Sequence, residues 1–201
     1  MDYFTSDLHF NHPGIIGFDN RPFATVEEMN AELIRRWNAR VTDKDTVYIL
    51  GDLMWSTTHD QAMAILRSLK GHLVLVRGNH DGRWLHGDDI RHRFLRIENY
   101  LDMRPRLADG TRKYLALSHY PIHFYNHAHH EGCMLYGHVH TSREYQLTEQ
   151  LRQQLVDGGT PCEMHNTFCG LFNWAPATLQ EVLAVDPSSV PVTPLAAKTA
   201  E

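Results

Sequence analysis

Cysteine is scarce in this sequence of 201 residues. Cys133, Cys162 and Cys169 are spaced as neither a C-x-x-C redox pair nor a zinc ribbon, which argues for reduced, buried thiols and against a disulfide framework. Long apolar runs are missing as well. No stretch approaches the roughly 18 residues that span a bilayer, and Met1 to Asp7 carry neither a basic segment nor a secretory apolar core. No membrane partner is expected, and a cytoplasmic location is the default. Positive charge is also in short supply: 19 Lys and Arg against 24 Asp and Glu give a formal net charge of -5. Coating nucleic-acid phosphates is therefore not the expected business of the whole surface, although one local basic groove fits inside that total.

Histidine is abundant instead, with 15 residues and no contiguous run at either end. Imidazole is the commonest protein metal ligand, so position decides what the excess means. His59, His72, His86 and His92 scatter through expected helix and loop and read as solvated surface residues. Others fall at the ends of expected strands, beside Gly and Asp.

With 42% hydrophobic residues the chain can bury one substantial core. The reading is one domain over 1–185, followed by a disordered tail over 186–201 rich in Pro, Ser, Thr and Ala. Asp2 to Ser6 is an expected strand that delivers Asp7-Leu8-His9. A capping box at Thr25 to Glu28 and apolar residues at Val26, Met29, Leu33, Trp37 and Val41 predict a helix over about 26–40. Thr46 to Leu50 then forms a strand ending at Gly51-Asp52. A second box, Thr58 to Gln61, starts a helix with Ala62, Ile65, Leu66 and Leu69 inward, and His72 to Val76 is a strand ending at Gly78-Asn79-His80-Asp81. This alternation predicts right-handed βαβ crossovers with parallel strands, so the three polar motifs share one sheet edge. Farther on, Tyr100 to Ala108 and Thr111 to Ser118 flank Asp109-Gly110 and predict an antiparallel hairpin ending at His119. A short strand from Cys133 to Tyr136 delivers Gly137-His138-Val139-His140. Two sheets face to face with helices outside are the expected architecture.

The groups at strand ends are thus Asp7, His9, Asp52, Asn79, His80, His119, His138 and His140. Carboxylate and amide oxygen with imidazole nitrogen suit hard and borderline divalent metals, and a carboxylate that bridges lets two cations lie close together.

Asp7-Leu8-His9, Gly51-Asp52, Gly78-Asn79-His80-Asp81, Ser118-His119 and Gly137-His138-Val139-His140 resemble, in order and spacing, the motifs of the calcineurin-like metallophosphoesterase family. The resemblance runs from about Tyr3 to His140. The segment Asn166 to Val182 is similar to the closing strand and helix of small single-domain bacterial and phage members, and Phe10 to Phe23 resembles that subgroup too. The resemblance implies an α/β fold, a four-layer αββα sandwich of two mixed sheets flanked by helices. It also implies Asp7, His9 and His140 on one divalent metal, Asn79, His119 and His138 on a second, and Asp52 as the bridge. The metals would be Mn, Fe, Zn, Ni or Co, with a hydroxide shared between them attacking phosphorus and His80 assisting the leaving oxygen. Asn79 and His80 would also touch substrate.

Arg21 is an expected phosphate-binding residue because its fork matches phosphate oxygens. One departure from the pattern is Trp55, which stands where phosphoprotein phosphatases of this family carry the carboxylate that orients the catalytic histidine; Asp81 or a backbone carbonyl is the expected replacement. His123, His127, His129 and His130 lie between His119 and His138 as a rim of surface imidazoles. The expected activity is hydrolysis of small phosphomonoesters or phosphodiesters. Alternatives are a nuclease of the same superfamily, disfavoured by the acidic balance, and an inactive scaffold, disfavoured by the complete ligand set.

Overall fold

The computed structural model describes residues 1–107 and 110–193. In chain order its first half comprises β1 (Asp2–Thr5), α1 (Pro13–Phe18), α2 (Val26–Arg40), β2 (Thr46–Ile49), α3 (His59–Ser68), β3 (His72–Val76), α4 (Asp88–Arg91) and β4 (Phe94–Glu98). The second half comprises β5 (Tyr100–Met103), β6 (Leu115–Ser118), β7 (Cys133–Tyr136), α5 (Arg143–Asp157), β8 (Met164–Asn166), β9 (Ala177–Thr178) and α6 (Leu179–Leu183).

One sheet has the order β4-β3-β2-β1-β9 and the other β5-β6-β7-β8. Strands β1 to β4 are mutually parallel, as the alternation of strands and helices predicts, and β9 closes the edge antiparallel to β1. The second sheet is less antiparallel than its sequence suggests. Only β5 and β6 pair that way, whereas β6, β7 and β8 are parallel. The hairpin continues past β5 and β6 as a bridge between Arg106 and Arg112, and its expected tip at Ala108 and Asp109 lies outside the described residues.

Strands covered on both sides must be apolar on both faces, and these are. Leu73 and Leu75 of β3 face the layer of α1, α2 and α3, while Val74 and Val76 face the other sheet. Leu115, Leu117, Cys133 and Leu135 fill the space between the sheets, and Ala116, Met134 and Tyr136 pack outward with Tyr145 of α5. Helix, sheet, sheet and helix thus form the four layers.

Local chemistry explains where the helices begin. Thr58 and Gln61 form a complete capping box on α3. On α2 the Thr25 hydroxyl accepts from Glu28 N–H at 3.2 Å, but the Glu28 carboxylate takes the N–H of Ala24 at 2.8 Å, one residue earlier than a capping box requires. Met29, Leu33 and Trp37 are its buried stripe, and Trp37 Nε1 donates to Lys70 O at 2.9 Å, tying α2 to the turn before β3.

Part of the expected tail packs on the domain. Pro187–Ser189 form a 3-10 turn, Thr193 N–H donates to Thr141 O at 2.7 Å, and the two threonine hydroxyls meet at 2.8 Å. The rest, 194–201, lies outside the described residues. Among the described residues no helix is long and apolar enough to cross a membrane.

Candidate metal centre

The C-terminal ends of β1, β2, β3, β6 and β7 deliver the polar motifs to a common edge, where ligand crevices form in α/β sheets. The ladder between β1 and β2 runs on into the loops: Asp7 N–H donates to Gly51 O and His9 N–H to Asp52 O, each at 3.0 Å. Asp7, His9, Asp52, His138 and His140 all adopt left-handed backbone conformations, with φ of 56°, 53°, 53°, 70° and 46°. For residues with a Cβ this costs roughly 1–3 kcal/mol each, and it persists only where surroundings enforce it.

The enforcing bonds are specific. Both carboxylate oxygens of Asp7 accept from His138 N–H, at 3.1 and 3.0 Å, which fastens the second sheet to the first. Asp52 Oδ1 accepts from His80 N–H at 3.0 Å. Asp81, fully buried, accepts from Gly78 N–H at 2.7 Å, Asp52 N–H at 2.9 Å, Leu53 N–H at 3.0 Å and Trp84 Nε1 at 3.1 Å. Two motif glycines follow from this crowding. A Cβ on Gly78 would lie 2.2 Å from Asp52 Oδ1, and one on Gly137 would lie 2.7 Å from Asp7 Oδ2.

Two groups of side chains converge. Asp7, His9 and His140 form one, and Asp52, His119 and His138 the other, with ligand-type atoms in each group within 4.8 Å of one another. Asn79 joins the second, its Oδ1 3.0 Å from His119 Nε2. Asp52 stands between them, with Oδ2 3.7 Å from His9 Nε2 and 3.5 Å from His119 Nε2.

The imidazole tautomers are set from behind. His119 Nδ1 lies 2.8 Å from Leu50 O, and His140 Nδ1 2.6 Å from Asp19 Oδ1, so in the neutral rings each N–H points outward and each Nε2 turns a lone pair inward. His119 Nε2 then faces Asn79 Oδ1 and Asp52 Oδ2. His140 Nε2 faces His9 Nε2 at 3.3 Å and Asp7 Oδ1 at 3.6 Å. Electron pairs converging without enough hydrogens to go round are what a cation satisfies. The donors are oxygen and imidazole nitrogen, which suits Mn, Fe, Co, Ni or Zn. Thiolate takes no part: burial pushes Cys133 and Cys169 up to about 12 and raises Cys162.

Burial alone would raise Asp7, but His140, His119 and His9 outweigh it and hold that carboxyl well below the ordinary range. Burial dominates at Asp52 and lifts it to about 7. For His140 burial is likewise the largest effect and lowers the pKa, yet Asp7 and Asp19 together carry it up to about 9. Burial and then His140 push His9 well down. The groups thus put their positive charge on His140, between Asp7 and Asp19, where a divalent cation would displace the proton.

The structure turns Arg21 away from solvent and into the fold. Its side chain is fully buried, and its fork is spent internally: Nε and Nη2 on Asp19 Oδ2 at 2.9 and 2.7 Å, Nη1 on Leu8 O at 2.8 Å and Nη2 on Asp7 O at 2.9 Å. It positions Asp19, the partner of His140, which the sequence reading missed because no motif marks it.

Asp81 does not orient the His80 ring either, since its oxygens are taken by the N–H groups above. The His80 ring instead packs 4.3 Å from Trp55, with Nε2 3.8 Å from Asp52 Oδ2 and Nδ1 buried without a hydrogen-bond partner among the described residues. Burial, then Arg83, His119 and His138, lower its pKa, which leaves a neutral imidazole at neutral pH. Trp55 is stacked on His12 at 3.9 Å and carries the Arg83 guanidinium at 4.6 Å.

Exposed Tyr120 stands edge-on to His119 and His138, at 5.0 and 4.7 Å. Of the loop histidines, His123 Nε2 lies 3.1 Å from Thr148 O on α5 and His127 stacks on Tyr114, so both have structural partners.

A profile of the calcineurin-like phosphoesterase superfamily domain matches residues 3–169. The chain is 54% identical over 80 residues to an uncharacterized protein of Methanocaldococcus jannaschii, covering 39% of this chain and 46% of that protein. It is 39% identical over 82 residues to the gene 66 protein of Mycobacterium phage L5, covering 40% of this chain and 39% of that one. The chain therefore spans less than half the length of either relative in these matches. Among solved structures, a protein of unknown function from Aquifex aeolicus superposes with a TM-score of 0.63 at 24% identity, over 90% of this chain and 97% of that one, a likeness of fold.

Proposed function

Because the chain belongs to the calcineurin-like phosphoesterase superfamily, we propose that it is a metal-dependent phosphoric ester hydrolase acting on small phosphomonoesters or phosphodiesters. In this reading Asp7, His9 and His140 hold one divalent cation, Asn79, His119 and His138 hold a second, and the Asp52 carboxylate is shared. The observation that carries it is the convergence of acceptors on both sides of Asp52, with His119 and His140 locked by Leu50 O and Asp19 so that lone pairs face inward.

When bound, two divalent cations polarise phosphoryl oxygens and lower the pKa of a coordinated water from 15.7 to about 7. The chain's own groups do the rest. Asn79 is exposed, and with its amide oxygen turned inward its NH₂ is left to donate to the substrate phosphate. His80, neutral and beside Asp52, donates a ring N–H to the leaving oxygen as the P–O bond lengthens, an assistance of the order of 10²–10⁴ in rate. Asp19 and Arg21 keep His140 oriented while substrate comes and goes.

Assaying the purified protein with manganese against phosphomonoesters, linear and cyclic diesters and bis(p-nitrophenyl) phosphate tests the reading. Turnover that disappears with a chelator and returns with manganese supports it. No metal-dependent turnover of any ester would overturn it.

A further inference from the structure

With Arg21 committed to Asp19 and to backbone carbonyls, a side-chain cation that meets phosphate beside the centre must come from elsewhere. Arg83 is placed to supply it. The residue ends the turn that follows Asn79 and His80, and its guanidinium lies over the Trp55 ring at 4.6 Å. Trp55 in turn packs 4.3 Å from the ring of His80, whose Nε2 is 3.8 Å from Asp52 Oδ2. Arg83 is exposed, and among the described residues its side chain has no hydrogen-bond or ion-pair partner. Arg77 stands at the other end of the same turn, also exposed and, among the described residues, without a side-chain hydrogen-bond or ion-pair partner, with Nη2 4.0 Å from where a Cβ on Gly82 would lie.

Stacking matters to the argument. A guanidinium resting on an aromatic face has surrendered much of its rotamer freedom already, yet keeps the edge of its fork free for a planar or tetrahedral anion. The cation is also on the His80 side of the centre, where the departing group of an ester would lie.

We infer that Arg83, steadied by Trp55 and supported by Arg77, binds a second phosphate of the substrate, one unit along from the ester that is cleaved. The substrate class is then a phosphodiester that carries a further phosphate group, as the backbone of a short nucleic-acid strand does. This rests on the hydrolytic reading above and narrows it. The chain's overall charge of -5 does not oppose it, because the two arginines act locally.

The test compares thymidylyl-thymidine with the same dinucleotide bearing a 5′- or a 3′-terminal phosphate. Turnover is measured with manganese, and binding of each dinucleotide to the chelator-treated protein is measured by calorimetry. The wild-type protein is expected to bind one of the phosphorylated forms roughly tenfold or more tighter, as one charge-assisted contact gives. In Arg83→Ala and in Arg83→Gln, which keeps most of the side chain's length, that preference should collapse in both binding and kcat/KM. Equal losses on phosphorylated and unphosphorylated dinucleotides would mean that Arg83 only props Trp55 and His80, and would overturn the inference. So would a preference that survives in Arg83→Gln, or its absence in the wild type. Binding that follows Arg83 while no ester is turned over would instead sink the hydrolytic reading and leave the anion site standing.

Discussion

The carboxylate of Asp81 accepts the backbone N–H of Asp52 at 2.9 Å, so the strand-end loop that carries Asn79 is stapled to the loop that carries Asp52. Three further donors, from Gly78, Leu53 and Trp84, end on the same two oxygens. Asp81→Ala leaves all four donors without that acceptor, and a buried donor left unsatisfied costs about 1–3 kcal/mol. The expected loss is at least about 4 kcal/mol of stability together with most of the metal affinity, read by chemical denaturation and metal titration. A variant as stable as the wild type would show that the staple is dispensable.

Arg21 acts on His140 through Asp19, so Asp19→Ala and Arg21→Gln should both weaken metal binding, by roughly 10–100-fold as is usual for groups behind a ligand. The comparison that decides is between KM and metal affinity. If Arg21→Gln raises KM tenfold while metal affinity stays at the wild-type value, Arg21 reaches substrate after all.

The chelator-treated protein should have a stability maximum near pH 6.5. His12, carried down to about 4, and His9, His80 and His138, also depressed, take up protons in the unfolded chain before the folded one, so stability rises as pH climbs from about 4 to 6.5. Asp52, lifted to about 7, and Asp2 and Asp81, also raised by burial, oppose this above about pH 4, three carboxyls against four imidazoles. Above pH 6.5 the folded chain keeps a proton on His140, raised to about 9, that the unfolded chain has released, and stability falls again until pH 9. Metal needs His140 neutral and Asp52 ionised, so loading with manganese should remove the alkaline fall. Thermal melts at pH 5, 6.5 and 8.5, with chelator and with manganese, check both statements. A chelated protein more stable at pH 8.5 than at 6.5 would contradict the charge assignment.

His80→Ala separates chemistry from binding. It should keep both metals and lose far more kcat on esters with poor leaving groups than on p-nitrophenyl esters, because only a poor leaving group needs the donated N–H. Equal losses on both, or loss of metal, would make His80 a positioning residue.

Much of this was legible in the sequence because the chemistry sits where strands stop. Asp7, Asp52 and Asn79 each follow a short apolar strand, and parallel βαβ order brings such ends together whatever the details of packing. The Thr58–Gln61 box marked α3 because capping is local. What escaped depends on partners distant in sequence. β9 is two residues long and exists because β1 offers an edge; only the resemblance over Asn166 to Val182, and no periodicity, pointed to a closing strand and helix there. Parallel pairing of β6, β7 and β8 is a property of the crossovers, which Asp109-Gly110 said nothing about. α5 leaves Leu147 and Leu151 exposed while burying Tyr145 and Thr148, so its apolar spacing does not describe its buried face. Arg21 and Asp81 were assigned roles from residue type alone, and only burial shows that their polar atoms are already spoken for.

Metal stoichiometry is the most direct test of the central claim. Elemental analysis after manganese titration of the purified protein should reach two equivalents per chain, and the Asp52→Ala variant, deprived of the shared anion, should fall short of two and lose activity. A wild-type protein that saturates at one equivalent or none would contradict the account.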